Sequence, residues 1–368
     1  MLMKSGIFLL LASLLLSISC RNTTDNDKID VSFNNSISSF AALIGRIELI
    51  PLATDSEHIL GDNPELIASD TSLYLVDLMN SKIYRYSHSG SFLNAVGRRG
   101  NGNGEYNSIN GVQVDGNILT VHSYPNKILK YAIDGEFIGQ KLRTDLGQFS
   151  YSFAEDTILT YYGYGSTTPY RAALIGASRV LDEFLLDEDT DKVLNYRSLA
   201  SPISNCKNRI FLIDSFNPIV YEYSNAELVP YLQFDFGKYS VPRKYYTYSD
   251  VFEAAEYLMS IDYAIINRYV ECGSVKMVEI LLNKADSGYP YYGLYYNDEW
   301  HWFSFGNWDS SMSLAFRCFS EANDLLFVLS PTAVHNLPEA LRHLVVNYDI
   351  SKSVSEEDNY IIAKVSLK

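Results

Sequence analysis

Asp77, His122 and Asp214 each end an apolar run of strand character: Leu73-Tyr74-Leu75-Val76, Ile118-Leu119-Thr120-Val121 and Ile210-Phe211-Leu212-Ile213. Carboxylates and imidazoles are the ligands that a divalent ion such as calcium or zinc takes, and a bound cation can polarise a carbonyl or acidify water. Gathered round one axis, the three residues would support a metal-assisted lyase or hydrolase. The plainer reading gives each Asp to its own turn, where a short carboxylate accepts backbone N–H groups. His58, His88, His122, His301, His335 and His343 show no metal-motif spacing, and neither a Ser-His-Asp set nor a pair of carboxylates stands out.

Three further groups could bind without reacting. Gly97-Arg98-Arg99-Gly100-Asn101-Gly102-Asn103-Gly104-Glu105-Tyr106 is glycine-dense, but no Lys-Ser/Thr follows and no helix pattern begins, so it lacks the parts of a phosphate loop. Its glycines suit a tight crossing at positive φ, and Arg98 and Arg99 could offer bidentate contacts to a carboxylate or sulfate. Tyr164, Tyr248 and Trp308 belong to aromatic clusters in long connections, and exposed rings there would stack on a glycan or pack on a peptide. Trp300-His301-Trp302-Phe303 reads better as core. Cys206, Cys272 and Cys318 leave one thiol unpaired; a Cys206–Cys272 bridge is possible, and buried free thiols are the favoured reading.

These residues are positioned by a unit written more than once. Leu73 to Ile118, Ile83 to Ile128 and Gly90 to Gly135 are each 45 residues apart, and Leu73 to Ile210, Asp77 to Asp214 and Ile83 to Val220 are each 137 apart. A period of ~40–50 residues built from short strands is the signature of propeller blades. The spacing predicts an all-β, six-bladed β-propeller over residues 41–368, with Arg46 to Leu52 closing the last blade as an N-terminal strand. Near-continuous apolar second strands predict burial on both faces. Helices are expected only inside insertions, at Ser249 to Leu258 and Pro338 to Leu344.

In such a meander the first-to-second and third-to-fourth turns share one rim, and the remaining connections share the other. The first rim is terse, as at Asp115-Gly116-Asn117 and Gly273-Ser274. The second carries Gly97 to Ser108, Gly163 to Pro169, Asp187 to Ser198, Gly237 to Asp262, Gly306 to Ser313 and Ser330 to Asn359. Binding groups commonly sit on long loops held by a rigid scaffold, so the site is expected on the elaborated rim.

Lys4, an apolar run from Ile7 to Ile18 and small residues before Cys20 make residues 1–19 a secretory leader, too short for a spanning helix. Leu16-Ser17-Ile18-Ser19-Cys20 resembles a bacterial lipobox, with Cys20 as the lipidated residue and the lipid as the sole membrane attachment. Residues 20–40 are polar and are expected to be a flexible tether. The chain has 44 acidic against 29 basic side chains, a balance that argues against a nucleic-acid partner.

Gly97 to Tyr106, with Val112-Gln113-Val114-Asp115-Gly116-Asn117-Ile118 and Asn126-Lys127-Ile128-Leu129-Lys130-Tyr131, is similar to an NHL-type repeat. With the lipobox, the whole resembles the bacterial six-bladed β-propeller lipoproteins. That resemblance implies the fold and a cell-envelope location, periplasmic or at the outer membrane and cell surface, and some NHL-related lyases and propeller lactonases hold a metal. The leading expectation is a non-catalytic binding propeller for a glycan, peptide or envelope protein, with no cofactor. The alternative is the metal-assisted enzyme built on Asp77, His122 and Asp214.

Overall fold

Leu73, Ile118 and Ile210 stand in the second strand of three separate sheets, where they face Ala68, Asp115 and Asn205 of the respective first strands. The computed structural model describes residues 28–34, 36–125, 127–143, 146–153, 156–163, 168–177, 179–186, 200–206, 209–248, 250–284, 287–305 and 314–368. Six small antiparallel sheets follow one another along the chain as the blades of a β-propeller. Blade I is Glu65–Ala68, Leu73–Asp77, Lys82–Tyr86 and Phe92–Ala95. Blade II is Ser108–Asp115, Ile118–Tyr124, Lys127–Ala132 and Phe137–Leu142. Blade III, the least regular in sequence, is Phe149–Ser152, Ile158–Tyr161, Tyr170–Ile175 and Val180–Leu186. Blade IV is Ile203–Cys206, Arg209–Ile213, Ile219–Ser224 and Glu227–Asp235; blade V is Tyr263–Cys272, Val275–Lys284, Ser287–Tyr296 and Glu299–Ser304. Blade VI takes Leu314–Phe319, Leu325–Leu329 and Ile361–Leu367, and Ile44–Pro51 completes it from the other end of the chain.

The second strands are predominantly apolar because both of their faces meet a neighbouring sheet. Tyr74 and Val76 of blade I pack with Leu119 and Val121 of blade II. Leu75 and Tyr84 pack on the other side with Leu326, Val328 and Ile362 of blade VI, which closes the ring. Each such side chain, fully buried, contributes about 1.5–3 kcal/mol. Trp300 and Trp302, stacked at 5.6 Å, pack edge-on to Phe234 between blades IV and V, which is the core role their alternation suggests.

The long insertion after Leu329 has a structural task. Its residues run along the outer edge of the closing strand: Ile47 N donates to Leu344 O at 2.9 Å, and Val346 N donates to Ile47 O at 2.9 Å. The Asn347 amide exchanges hydrogen bonds of 2.8 and 2.9 Å with the backbone of Leu49. An edge strand offered to solvent invites pairing with another chain, and this cover removes the offer. Two short helices hold the cover in place, Pro331–His335, capped by Ser330, and Glu339–Arg342, which begins one residue after Pro338. The helix Val251–Met259 lies in the insertion after blade IV, with Asp250 accepting from the N–H groups of Phe252 and Glu253.

The expected tether is corrected from Lys28 onward. Ile29–Asp30 adds a parallel fifth strand to the outer edge of blade IV against Phe234 and Asp235. Phe33 meets Phe236, Tyr239 and Tyr291 edge-on. In the helix Ile37–Leu43, Phe40 is 1% exposed and stacks on Phe303 at 4.0 Å. A polar average hid three apolar anchors, each of which fills a place between blades. Residues 1–27, including Cys20, lie outside the described residues.

Candidate ligand site in the central channel

The innermost strand of every blade is its first, and these strands bring polar residues to the axis. Glu65 opens the first strand of blade I, and Arg268 lies midway along that of blade V. Arg268 donates from Nη1 and Nη2 to the two oxygens of Glu65 at 2.7 and 2.6 Å, a bidentate pair spanning blades that are not adjacent. Burial alone would raise the Glu65 carboxyl, but the charge and hydrogen bonds of Arg268, with the charge of Arg317, outweigh it and hold the carboxyl below its ordinary value. Nε of Arg268 has no hydrogen-bond partner among the described residues.

Arg317, in blade VI, sits where the register with the second strand breaks between Phe316 and Cys318. A bulged residue is freed from the ladder and re-aimed. Arg317 Nε donates to Pro64 O at 2.7 Å and Nη2 bonds the Asn63 side chain, so it ties blade VI to the chain entering blade I. Asn110, at a break of the same kind in blade II, donates from Nδ2 to Gly147 O at 2.7 Å, just ahead of blade III. These two bulges fasten blade VI to blade I and blade II to blade III.

Between the first strands lies a cavity of about 540 Å³ to which all six blades contribute. Its wall includes Glu65, Gln113, Tyr151, Ser204, Arg268 and Arg317. It extends to the terse first-to-second turns, with Asp70, Asp115 and Glu321 exposed at that mouth. From the elaborated rim it takes Leu78 and Ser201. Five carboxylates (Glu65, Asp70, Asp115, Glu271 and Glu321) and two guanidiniums (Arg268 and Arg317) line it, so its field is acidic. Glu271 is engaged by its neighbours: Tyr269 donates to it at 2.5 Å, Arg209 pairs with it, and Lys276 lies 3.4 Å away. Cys206, Cys272 and Cys318 also line the cavity; burial pushes the Cys318 thiol up to about 12.

The expected site residues are not brought together. Asp77 accepts from the backbone N–H groups of Gly61 and Asn80 and from the Asn80 amide, each at 2.8 Å, which is the turn-capping role. Asp214 accepts from the Tyr161 hydroxyl at 2.9 Å and faces Arg171 Nε at 3.4 Å. His122 is fully buried, with Nε2 2.8 Å from Ser152 Oγ, and burial pushes its pKa down to about 3. Asp77 and His122 lie in second strands and Asp214 directly follows one, a layer out from the axis, so the three meet different neighbours. Among the described residues no group of three or more His, Cys, Asp or Glu could hold a metal ion.

Arg98 and Arg99 are exposed on the crossing from blade I to blade II, where Arg98 pairs with Glu105 at 2.6 Å. The crossing is organised around Lys127, whose ammonium donates to the carbonyls of Asn101, Gly102 and Glu105 at 3.0–3.1 Å. Gly97 has φ +60°, and a Cβ there would meet the Tyr131 hydroxyl at 2.5 Å, so the glycine is required by close approach. Tyr248 is half-buried and packs on Tyr257 within its own insertion. Tyr164 and Trp308 lie outside the described residues. The cavity reaches the terse mouth and touches the elaborated rim at Leu78 and Ser201, and none of the described candidates lines it. Charged residues inside largely apolar first strands, Arg268 in Tyr263–Cys272 and Arg317 in Leu314–Phe319, were the available signal.

Fold and cavity define a six-bladed β-propeller with a ligand-sized chamber on its axis. The chain belongs to the DUF4934 family, a domain of unknown function, which matches residues 26–366. No curated protein matches it. A solved structure of a protein described as exported, from Bacteroides fragilis NCTC 9343, is similar with a TM-score of 0.71 and 19% identity, over 93% of this chain and 99% of that one. A member of the DUF4221 family from Bacteroides vulgatus ATCC 8482 is similar at 0.52 and 9%, over 89% and 97% of the two chains. A streptogramin B lyase structure aligns at 0.45 and 10% over 88% and 98%, too distant to bear on activity.

Proposed function

We propose that the protein is an exported propeller, anchored to the cell envelope through Cys20, that binds a short glycan or peptide in its central cavity without transforming it. The cavity carries this reading. At about 540 Å³ it falls within the usual range of ligand clefts, ~300–1,000 Å³, and it presents amide and hydroxyl groups with an acidic mouth. Such walls suit sugar hydroxyls or the amide and ammonium groups of a peptide, and they repel phosphate and other anions. The non-catalytic part rests on Glu65 and Glu271, whose carboxylates are held by cationic partners. Export is supported by the leader-like residues 1–19 and by the exported neighbour.

The test is calorimetric titration of the purified full chain with panels of oligosaccharides and short peptides, followed by mass analysis of the recovered ligand. Saturable binding of one class, recovered unchanged, is the expected result. A transformed ligand would overturn the non-catalytic reading, and the absence of saturable binding to either panel would overturn the ligand class.

A further inference from the structure

Cys206 and Cys272 are the last residues of the first strands of blades IV and V. They hold corresponding places: Cys206 faces Arg209 and Cys272 faces Val275, the first residues of the second strands. Their sulfurs are 3.0 Å apart, about 1 Å beyond the ~2.05 Å of a disulfide bond. The two differ in access, for Cys206 is half-buried whereas Cys272 is 8% exposed and rests 3.1 Å from Asn323 Oδ1. Both face the cavity at its terse mouth.

We propose that Cys206 and Cys272 form a redox-modification site, in which thiol–disulfide exchange joins blades IV and V at the mouth of the cavity. The oxidant is a disulfide, either on a dithiol catalyst or of low molecular weight. The more accessible Cys206, as thiolate, attacks one sulfur of that disulfide; its S–S bond breaks, and the first thiol leaves with the proton given up by Cys206. Cys272, deprotonated in turn, displaces the second thiol from the mixed disulfide and closes the Cys206–Cys272 bond. Two thiols are oxidised by two electrons, and one external disulfide is reduced to two thiols. Cys318, the third cysteine of the wall, is the bystander, because its buried thiol stays protonated and deprived of nucleophilic character. The bridge closes a loop running from one blade to the next, which restricts the unfolded chain more than a bridge within one turn would. Its formation in the cell rests on the export proposed above; its geometry does not.

The full chain, purified under reducing conditions, is incubated with oxidised glutathione, alkylated, digested without reduction and mapped by mass spectrometry. A peptide pair linked through Cys206 and Cys272 is expected in wild type and in Cys318→Ser. Cys272→Ser should instead carry glutathione on Cys206. Dithiothreitol should lower the melting temperature of oxidised wild type by several degrees and leave that of the Cys206→Ser/Cys272→Ser double variant unmoved. Full alkylation of both cysteines after oxidation, or linkage of either one to Cys318, would overturn the proposal. Neither result bears on ligand binding, so failure here leaves the cavity reading to its own test.

Discussion

The two mouths of the channel differ in a way that loop length conceals. The elaborated rim carries the long insertions, yet the one after Leu329 covers the edge of the closing strand and the one at Gly97 to Tyr106 wraps a structural lysine. The terse mouth has two-residue turns such as Gly273-Ser274, and the cavity with its acidic residues reaches that side. These two insertions answer the needs of edge protection and of a tight crossing between blades. Cavity-facing groups come largely from first strands, where rigid backbone holds them.

The comparison can be broken at its channel end by Arg268→Ala. Removing one member of a buried ion pair leaves the other charge uncompensated, and a loss of about 3–5 kcal/mol in urea unfolding is expected. The pair also sets a pH dependence. Because the folded Glu65 carboxyl lies below its ordinary 4.5, its contribution is complete above that value and is lost as the pH falls toward the folded value. Wild type should therefore weaken on acidification below about pH 4.5 more steeply than Glu65→Gln; equal slopes would remove the ion pair from the account.

At the periphery, Phe40→Ala should cost about 3–4 kcal/mol by emptying the stack on Phe303. Ligand affinity should be unchanged where the variant is folded, and a binding defect would mean that the docked N-terminal segment shapes the site. Asn347→Ala should cost about 1–2 kcal/mol, since it strips two hydrogen bonds from the closing strand. Dimers in analytical ultracentrifugation would show the edge reopened. Arg98→Ala should leave both the unfolding midpoint and binding unmoved, because Arg98 is 81% exposed and its pairing with Glu105 is confined to the crossing.

The architecture was legible because a propeller repeats the same burial problem in each blade. Leu73, Ile118 and Ile210 solve it with a branched aliphatic residue roughly every 45 residues, and even the irregular third blade is demanded by the interval between Leu73 and Ile210. The lining of the candidate site was not legible, because the first strands share a position on the axis and little else. Glu65, Gln113, Ser204, Arg268 and Arg317 have no common identity, and the register break at Arg317 moves it out of the alternation that would have revealed its direction. Asp77, His122 and Asp214 do share a position, but it lies one strand too far from the axis. The docking of the segment from Lys28 to Leu43 was equally hidden, since a two-residue strand and two separate rings leave no periodicity to read.

The location of the ligand is tested most directly by measuring the affinity of Ser204→Trp for a glycan or peptide that binds wild type. Ser204 stands on the cavity wall and is half-buried. If ligand occupies the chamber, the indole displaces it and affinity falls at least roughly tenfold, while Arg98→Ala and Tyr248→Ala bind as wild type does. Unchanged affinity in Ser204→Trp, with loss in either of the other two, would put the ligand on the opposite rim.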